Sequence, residues 1–343
     1  MSAARPTPVR PDVPAPAGAA AAPAAAPAAG PAEPPDVSVL VPAKDEAENL
    51  PEFLRQCAEA FAADPATRYE VVVVDDGSRD GSWALLGDLA RQYAFLRTVR
   101  HRSQRGIAEA LRSGWLASRG PILVFYPADL QFKPADIPRL VAPILAGDAD
   151  MVTGQKQGVY EKAFVSGIYN RLSRVLFRVP VKDLNSVKAY RREVMSLVPT
   201  RPDWHRYLIV IAATEGYTVT EIPVTLYPRT AGKSKFGLSR IPIGVLDMLA
   251  VWFELRFGRK PLLLFGMLGA AMFAVGVLAG LGALVVLLAT GVGVRAVWTV
   301  IQTSLVLGSI FFATGLLGEQ IAGTRADLRE LRRRVDDVAP GGE

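Results

Sequence analysis

The sequence predicts an α/β fold, a soluble domain built on a mostly parallel sheet, followed by two membrane-spanning helices. Three observations carry this. VSVLVPA (37–43), EVVVVDDGS (70–78) and PILVFYPADL (121–130) are near-continuous Val/Ile/Leu runs, each ending in a polar turn. A helical stretch, EAENLPEFLRQCAEAF, lies between the first two. Strands apolar on both faces that alternate with helices form parallel sheets covered on both sides. Nearer the C-terminus, Pro261–Val294 and Ala296–Gly318 carry no charge. Each is longer than the ~20 apolar residues that cross a bilayer.

Composition narrows the function classes. The chain has 343 residues, 50% of them hydrophobic and 21% charged, with a formal net charge of +6. That is enough apolar material for a sizeable core. A single cysteine, Cys57, excludes an internal disulfide, and neither Cys57 nor the two histidines has zinc-site spacing. The Lys and Arg residues do not form a stripe interleaved with aromatics, so nucleic acid is not an expected partner.

The expected organisation runs in five parts. Residues 1–35 are almost only Ala, Pro and Gly, and form a disordered Pro/Ala-rich tail. Residues 36–238 form the α/β domain. Residues 239–260 form an interfacial amphipathic helix, since Arg240, Asp247 and Glu254 recur every seven residues on one face. Residues 261–318 hold the two spans, and residues 319–343 a C-terminal tail. Arg256, Arg259 and Lys260 precede the spans, and Arg325, Arg329, Arg332, Arg333 and Arg334 follow them, with only Arg295 between. The positive-inside rule then puts both ends and the α/β domain on the cytoplasmic side. From Arg229 to Lys260 there are seven Lys/Arg and two acids, a bias suited to anionic lipid headgroups. Gly266, Gly269, Gly276 and Gly280 permit close helix packing, within one chain or in a homo-oligomer.

Ligands of a parallel sheet bind beyond the carboxyl ends of its strands. There the sequence gathers Pro42, Lys44 and Glu46, then Asp75 and Asp76, then Asp129 and Gln131. Acids at one sheet edge suit a nucleotide held at base and ribose, with a divalent ion on its phosphates. Any one of these turns could equally be a helix cap. Arg229, Lys233 and Lys235 lie in a Gly-containing loop able to close over phosphates, or to bind lipid headgroups. His205 is open to two readings, general base or structural residue. Asp183 could orient an acceptor or a sugar, or simply end a turn. Cys57, Trp83 and Trp115 read as packing residues, and His101 belongs to no motif.

VSVLVPAKDEAENL, EVVVVDDGSRDGS, PADLQFKPADIPRL and PVTLYPRTAGKSKFGLSR, in that order, resemble family 2 glycosyltransferases of the GT-A fold. More narrowly, the stretch from Val37 to Gly318 is similar to dolichyl- and polyprenyl-phosphate sugar synthases with two C-terminal membrane helices. The resemblance implies a nucleotide diphosphate sugar as donor, a polyprenyl phosphate as acceptor, and membrane lipids as surroundings. It implies nucleotide-sugar contacts at Pro42, Lys44, Glu46, Val74, Asp76 and Ala128. A divalent cation, Mg²⁺ or Mn²⁺, falls to Asp129 and Gln131. Lys156, Lys162, Ser166, Arg229, Ser234 and Lys235 are matched to the acceptor phosphate. Asp129, Gln131, Asp183, Arg229 and Lys235 are the expected catalytic set. Two positions depart from the family pattern: Lys44 replaces an aromatic, and Pro127 replaces the first carboxylate of the metal motif. The expected reaction is inverting transfer of a hexose to lipid phosphate. The alternatives are another glycan or lipid acceptor, or a catalytically degenerate scaffold of the same fold.

Overall fold

The structure, a computed structural model, describes residues 33–157, 176–177, 179, 181–197, 204–228, 241–258, 260–292 and 295–338. Seven strands form one sheet: β1 (Val37–Ala43), β2 (Tyr69–Asp75), β3 (Leu96–Arg100), β4 (Ile122–Phe125), β5 (Met151–Gln157), β6 (Lys188–Arg191) and β7 (Val219–Thr225), in the order β3-β2-β1-β4-β6-β5-β7. Strands β1 to β4 are parallel. The sheet is not wholly parallel, because β6 runs antiparallel to both β4 and β5. Strand β7 then pairs parallel with β5. The carboxyl ends of β4, β5 and β7 and the start of β6 therefore meet at one edge.

The period-two alternation of the strands divides the core into two layers. Val37, Val39, Val41, Val71, Val73 and Val124 face α1 (Leu50–Ala62), α2 (Ser82–Gln92) and α4 (Ile137–Leu145). Leu40, Val72, Val74 and Leu123 face α3 (Ile107–Ala117), α5 (Arg192–Ser196) and α6 (Leu208–Thr214). Helix α1 buries Leu50, Phe53, Leu54 and Cys57, the i, i+3, i+4, i+7 spacing of an amphipathic helix. Cys57 is packing material, and burial pushes its thiol up.

Helix α7 (Ile241–Phe257) packs Met248 and Val251 against Tyr207 and Ile211 of the α/β domain. Its Leu246 and Leu249 remain exposed. Helices α8 (Pro261–Thr290) and α9 (Arg295–Val338) form an antiparallel hairpin. Both are long and apolar enough to cross a membrane, over Pro261–Thr290 and Val297–Leu328. Only 6% of the most apolar window of α8 is buried, which is not how the core helix of a soluble domain is packed. Helix α9 continues unbroken to Val338, so the described part of the C-terminal tail is helical.

Glycines set the closeness of this hairpin. A Cβ on Gly269 would stand 2.7 Å from the Gly308 carbonyl oxygen, and one on Gly308 would stand 2.9 Å from that of Gly269. Gly276 meets Leu305 in the same seam. The small residues thus serve packing within one chain. Arg325 of α9 pairs with Glu254 of α7 at 2.8 Å and joins the hairpin to the docked helix.

Candidate active site

The carboxyl edge of the sheet is assembled from loops that hold one another. Pro42 lies beside Val74 and Ala43 beside Asp75 in the β1–β2 register. Lys44, where the family pattern has an aromatic, donates from Nζ to the Gly77 carbonyl at 2.9 Å. Asp45 takes a positive φ of 54° and accepts from the Arg79 amide at 2.8 Å, while its own amide donates to Ser78 Oγ at 2.9 Å. The Glu46 amide donates to Ser82 Oγ and the Ala47 amide to Asp80 Oδ2. The side chain of Glu46 accepts from Asn49 at the start of α1, at 2.7 Å. The DDGSRDGS turn is in this way zipped to the first strand's turn.

Asp76 is only 5% exposed. Its Oδ1 receives the His101 ring at 2.8 Å and the Arg105 amide at 2.8 Å, and its Oδ2 receives the Gly106 amide at 2.8 Å. Burial alone would raise its pKa; the hydrogen bonds outweigh this and hold it below the usual carboxylate value. Gly77, at φ 71°, admits the same loop: a Cβ there would stand 2.8 Å from the Ser103 carbonyl carbon. Asp76 therefore braces the 101–106 loop against the carboxyl edge of the sheet. His101 completes the brace by reaching Ser113 Oγ with its other nitrogen at 2.9 Å. Sequence reading missed His101, because its partner lies 25 residues away and no local spacing marks it.

After β4 the chain turns through Asp129, Leu130 and Gln131. Leu130 is buried with φ 57°, a left-handed conformation uncommon for a residue with a side chain. The Gln131 amide donates to Asp129 Oδ1 at 3.2 Å. The Gln131 carbonyl accepts from the Tyr227 amide at 2.8 Å, and Lys133 lies over the Tyr227 ring at 4.4 Å. Ala128 is buried beneath this turn. Among the described residues, no group of three or more His, Cys, Asp or Glu is arranged for a metal. One carboxylate and one amide oxygen suit a hard cation that completes its shell with phosphate oxygens and water, and not an all-protein cage.

The third cluster lies across β5 and β6. Lys156 Nζ pairs with Asp183 Oδ2 at 3.4 Å, both side chains largely buried. Asp183 Oδ1 also accepts the Asn185 amide at 3.0 Å, so the residue both ends a turn and holds a cation. His205 is 8% exposed, its Nδ1 has no partner, and its ring lies edge-on to Phe125. Burial, with Lys188 and Arg206 nearby, drives its pKa down to about 3, which keeps it neutral and fits the structural reading. Lys188, which sequence reading did not single out, is buried beside this cluster. Lys162, Ser166, Arg229, Ser234 and Lys235 lie outside the described residues.

A mostly parallel seven-stranded sheet of this order, covered by helices on both faces, is an α/β domain of GT-A type. The solved structures that it resembles include glucosyl-3-phosphoglycerate synthase from Mycobacterium tuberculosis, crystallised with Mn²⁺, UDP and phosphoglyceric acid, at a TM-score of 0.51, 18% identity, 64% of this chain and 78% of that one. At that identity the likeness is one of fold. Residues 38–196 match the family Glycosyl transferase family 2; the segment is a family 2 glycosyltransferase domain, and the protein is a glycosyltransferase. Full-length relatives include a dodecaprenyl-phosphate galacturonate synthase of Rhizobium johnstonii, 29% identical over 300 residues, covering 84% of this chain and 88% of that protein. An undecaprenyl-phosphate 4-deoxy-4-formamido-L-arabinose transferase of Pseudomonas fluorescens is 29% identical over 301 residues, covering 85% and 86%.

Proposed function

We propose that the protein transfers a hexose-type sugar from a nucleotide diphosphate sugar to a polyprenyl phosphate at the cytoplasmic face of the membrane. One observation carries this reading: polyprenyl-phosphate sugar transferases match about 85% of the chain, a length greater than the family 2 domain alone and one that must include membrane helices. The Lys/Arg balance around the spans supports cytoplasmic termini.

In this reading Pro42, Lys44 and Glu46 line the nucleoside site, Val74 and Ala128 are buried behind them, and Asp76 holds its 101–106 wall. A phosphate oxygen of the lipid attacks the anomeric carbon from the face opposite the leaving group. The new carbon–oxygen bond forms as the bond to the diphosphate breaks, and the nucleoside diphosphate departs with inversion. The acceptor phosphate is already ionised near neutral pH, so no strong general base is required; a neutral, buried His205 agrees with that. The larger demand is for positive charge. Lys156, oriented by Asp183, faces the acceptor phosphate, joined by Lys162, Ser166, Arg229, Ser234 and Lys235. Asp129 and Gln131 would hold a divalent cation, Mg²⁺ or Mn²⁺, which when bound supplies charge neutralisation to the leaving diphosphate. Pro127 leaves a two-residue protein contribution, adequate for an ion that shares its shell with substrate.

The test is transfer by the purified protein in liposomes, given a polyprenyl phosphate and a panel of UDP- and GDP-sugars with Mg²⁺ or Mn²⁺. Mass spectrometry should find a sugar attached to lipid phosphate. Folded protein that forms no such lipid from any donor contradicts the reading.

A further inference from the structure

Lys188 is 1% exposed, among the largest fully buried side chains of the domain. It starts β6, opposite Phe125 at the end of β4 and Thr153 of β5, and so stands at the functional edge. Its Nζ donates to the Leu184 carbonyl at 3.1 Å and lies 5.9 Å from the Phe125 ring. An ammonium has three protons to donate, and burial with few acceptors is costly. An apolar residue of similar length would fill the same space without that cost. The described charged and titratable groups that bear on it are Asp183 from the turn before β6, Lys156 from β5, and His205 and Arg206 from the 3-10 turn Trp204–Tyr207. Helices α3, α5 and α6 present only Leu111, Met195 and Leu208 to the small cavity between Lys188 and His205. Asp183, the acid in this group, is the residue that holds Lys156.

We propose that Lys188 is a positioning residue for the acceptor: protonated and anchored on the Leu184 carbonyl, it fixes the 183–186 turn so that the Asp183–Lys156 pair receives the lipid phosphate. The inference rests on the proposed transfer to lipid phosphate. Burial pushes the ammonium down to about 7; Asp183 opposes the shift, while Lys156 and Arg206 add to it. Its charge at neutral pH is thus sensitive to what lies beside it. An arriving phosphate favours the protonated form, and by reciprocity protonation favours phosphate. The acceptor KM then rises with pH above about 7, by about tenfold per pH unit where one proton is coupled. Lys188→Arg, always charged, removes that rise. Lys188→Met raises the acceptor KM at pH 6 while kcat and the donor KM stay within about twofold.

The experiment measures acceptor KM at saturating donor from pH 6 to 8.5 for the full-length protein and both variants, with folding followed by circular dichroism. Ionisation of the lipid phosphate is common to all three, so the difference between wild type and Lys188→Arg isolates the lysine. A Lys188→Met protein that follows the wild-type KM at every pH overturns the inference. A wild-type protein that makes no product defeats the transfer reading instead. A measurement free of variants and of activity guards against misfolding. At pH 8 the wild-type protein is titrated calorimetrically with a short prenyl phosphate in two buffers of different ionisation enthalpy. Uptake approaching one proton per ligand is expected; no uptake overturns the inference, and no binding defeats the transfer reading.

Discussion

The amide of Tyr227 donates to the carbonyl of Gln131 at 2.8 Å. This single hydrogen bond ties the turn carrying Asp129 to the chain leaving β7, which leads straight into the RTAGKSK sequence. The turn of the acid proposed to hold a cation is thereby fixed to the strand exit at Tyr227, two residues before the basic sequence begins. The strained Leu130 lies inside this connection. Strain at such a place is maintained by surrounding structure and fits a turn whose geometry is set by function.

Asp129→Ala should abolish transfer with little effect on stability. The side chain is only half-buried, and it accepts the Gln131 amide from within its own turn. A loss of about 10²–10³ in kcat is expected for removing a group that stabilises developing charge. Transfer rates and thermal melts, measured side by side, check this.

Asp76→Ala should loosen the 101–106 loop. It leaves the His101 ring and two amides without their acceptor in a buried place. A cost of about 1–3 kcal/mol follows from unsatisfied buried donors. Urea denaturation and limited proteolysis around Arg102 and Arg105 read it, and the donor KM should rise with kcat less affected.

Gly77→Ala tests the close approach of the same loop without touching a polar group. The φ of 71° disfavours alanine, and its Cβ would meet backbone of Ser103 and Gln104 at 2.8 and 2.9 Å. The expected loss exceeds about 1 kcal/mol. Wild-type stability in this variant would show that the loop yields freely.

Stability should fall on acidification through His205. Its folded pKa, about 3, lies below the unfolded value of 6.5, so between those values the unfolded chain binds more protons. Stability from this residue is complete above about pH 6.5 and is lost as pH falls towards 3. His205→Gln should flatten that part of a denaturation-versus-pH curve. An unchanged slope would mean that the ring is protonated in the folded state.

Gly269→Leu should disrupt the hairpin, since backbone of α9 occupies the space that a side chain requires. The variant is expected to lose thermal stability in detergent, and a cysteine pair across the seam should no longer crosslink efficiently.

Much of the fold was legible because its signals are local. The three apolar runs expose their burial directly, and β1 occupies the predicted Val37–Ala43. The antiparallel β6 was not legible: KAYR is four residues long, and its partner Phe125 in β4 lies 63 residues before Lys188. The site divides in the same way. Asp129 and Gln131 stand within one turn at the end of β4, where the sequence placed them. The partners of Asp76 lie at 101, 105 and 106, and the buried lysine above Phe125 lies 63 residues after it in sequence. Such contacts are products of tertiary packing, and a charged residue in an ordinary strand gives no sign of being buried. The role of Lys44 was likewise visible only in three dimensions, where its ammonium replaces packing by a bond to the next turn.

The central claim is that a lipid phosphate receives the sugar. The most direct measurement offers the liposome-bound protein one donor and three acceptors in parallel: polyprenyl phosphate, the corresponding polyprenol, and diacylglycerol. Product should form from the phosphate alone and vanish with Asp129→Ala. Transfer to diacylglycerol or to the free alcohol, or equal transfer by Asp129→Ala, would contradict it.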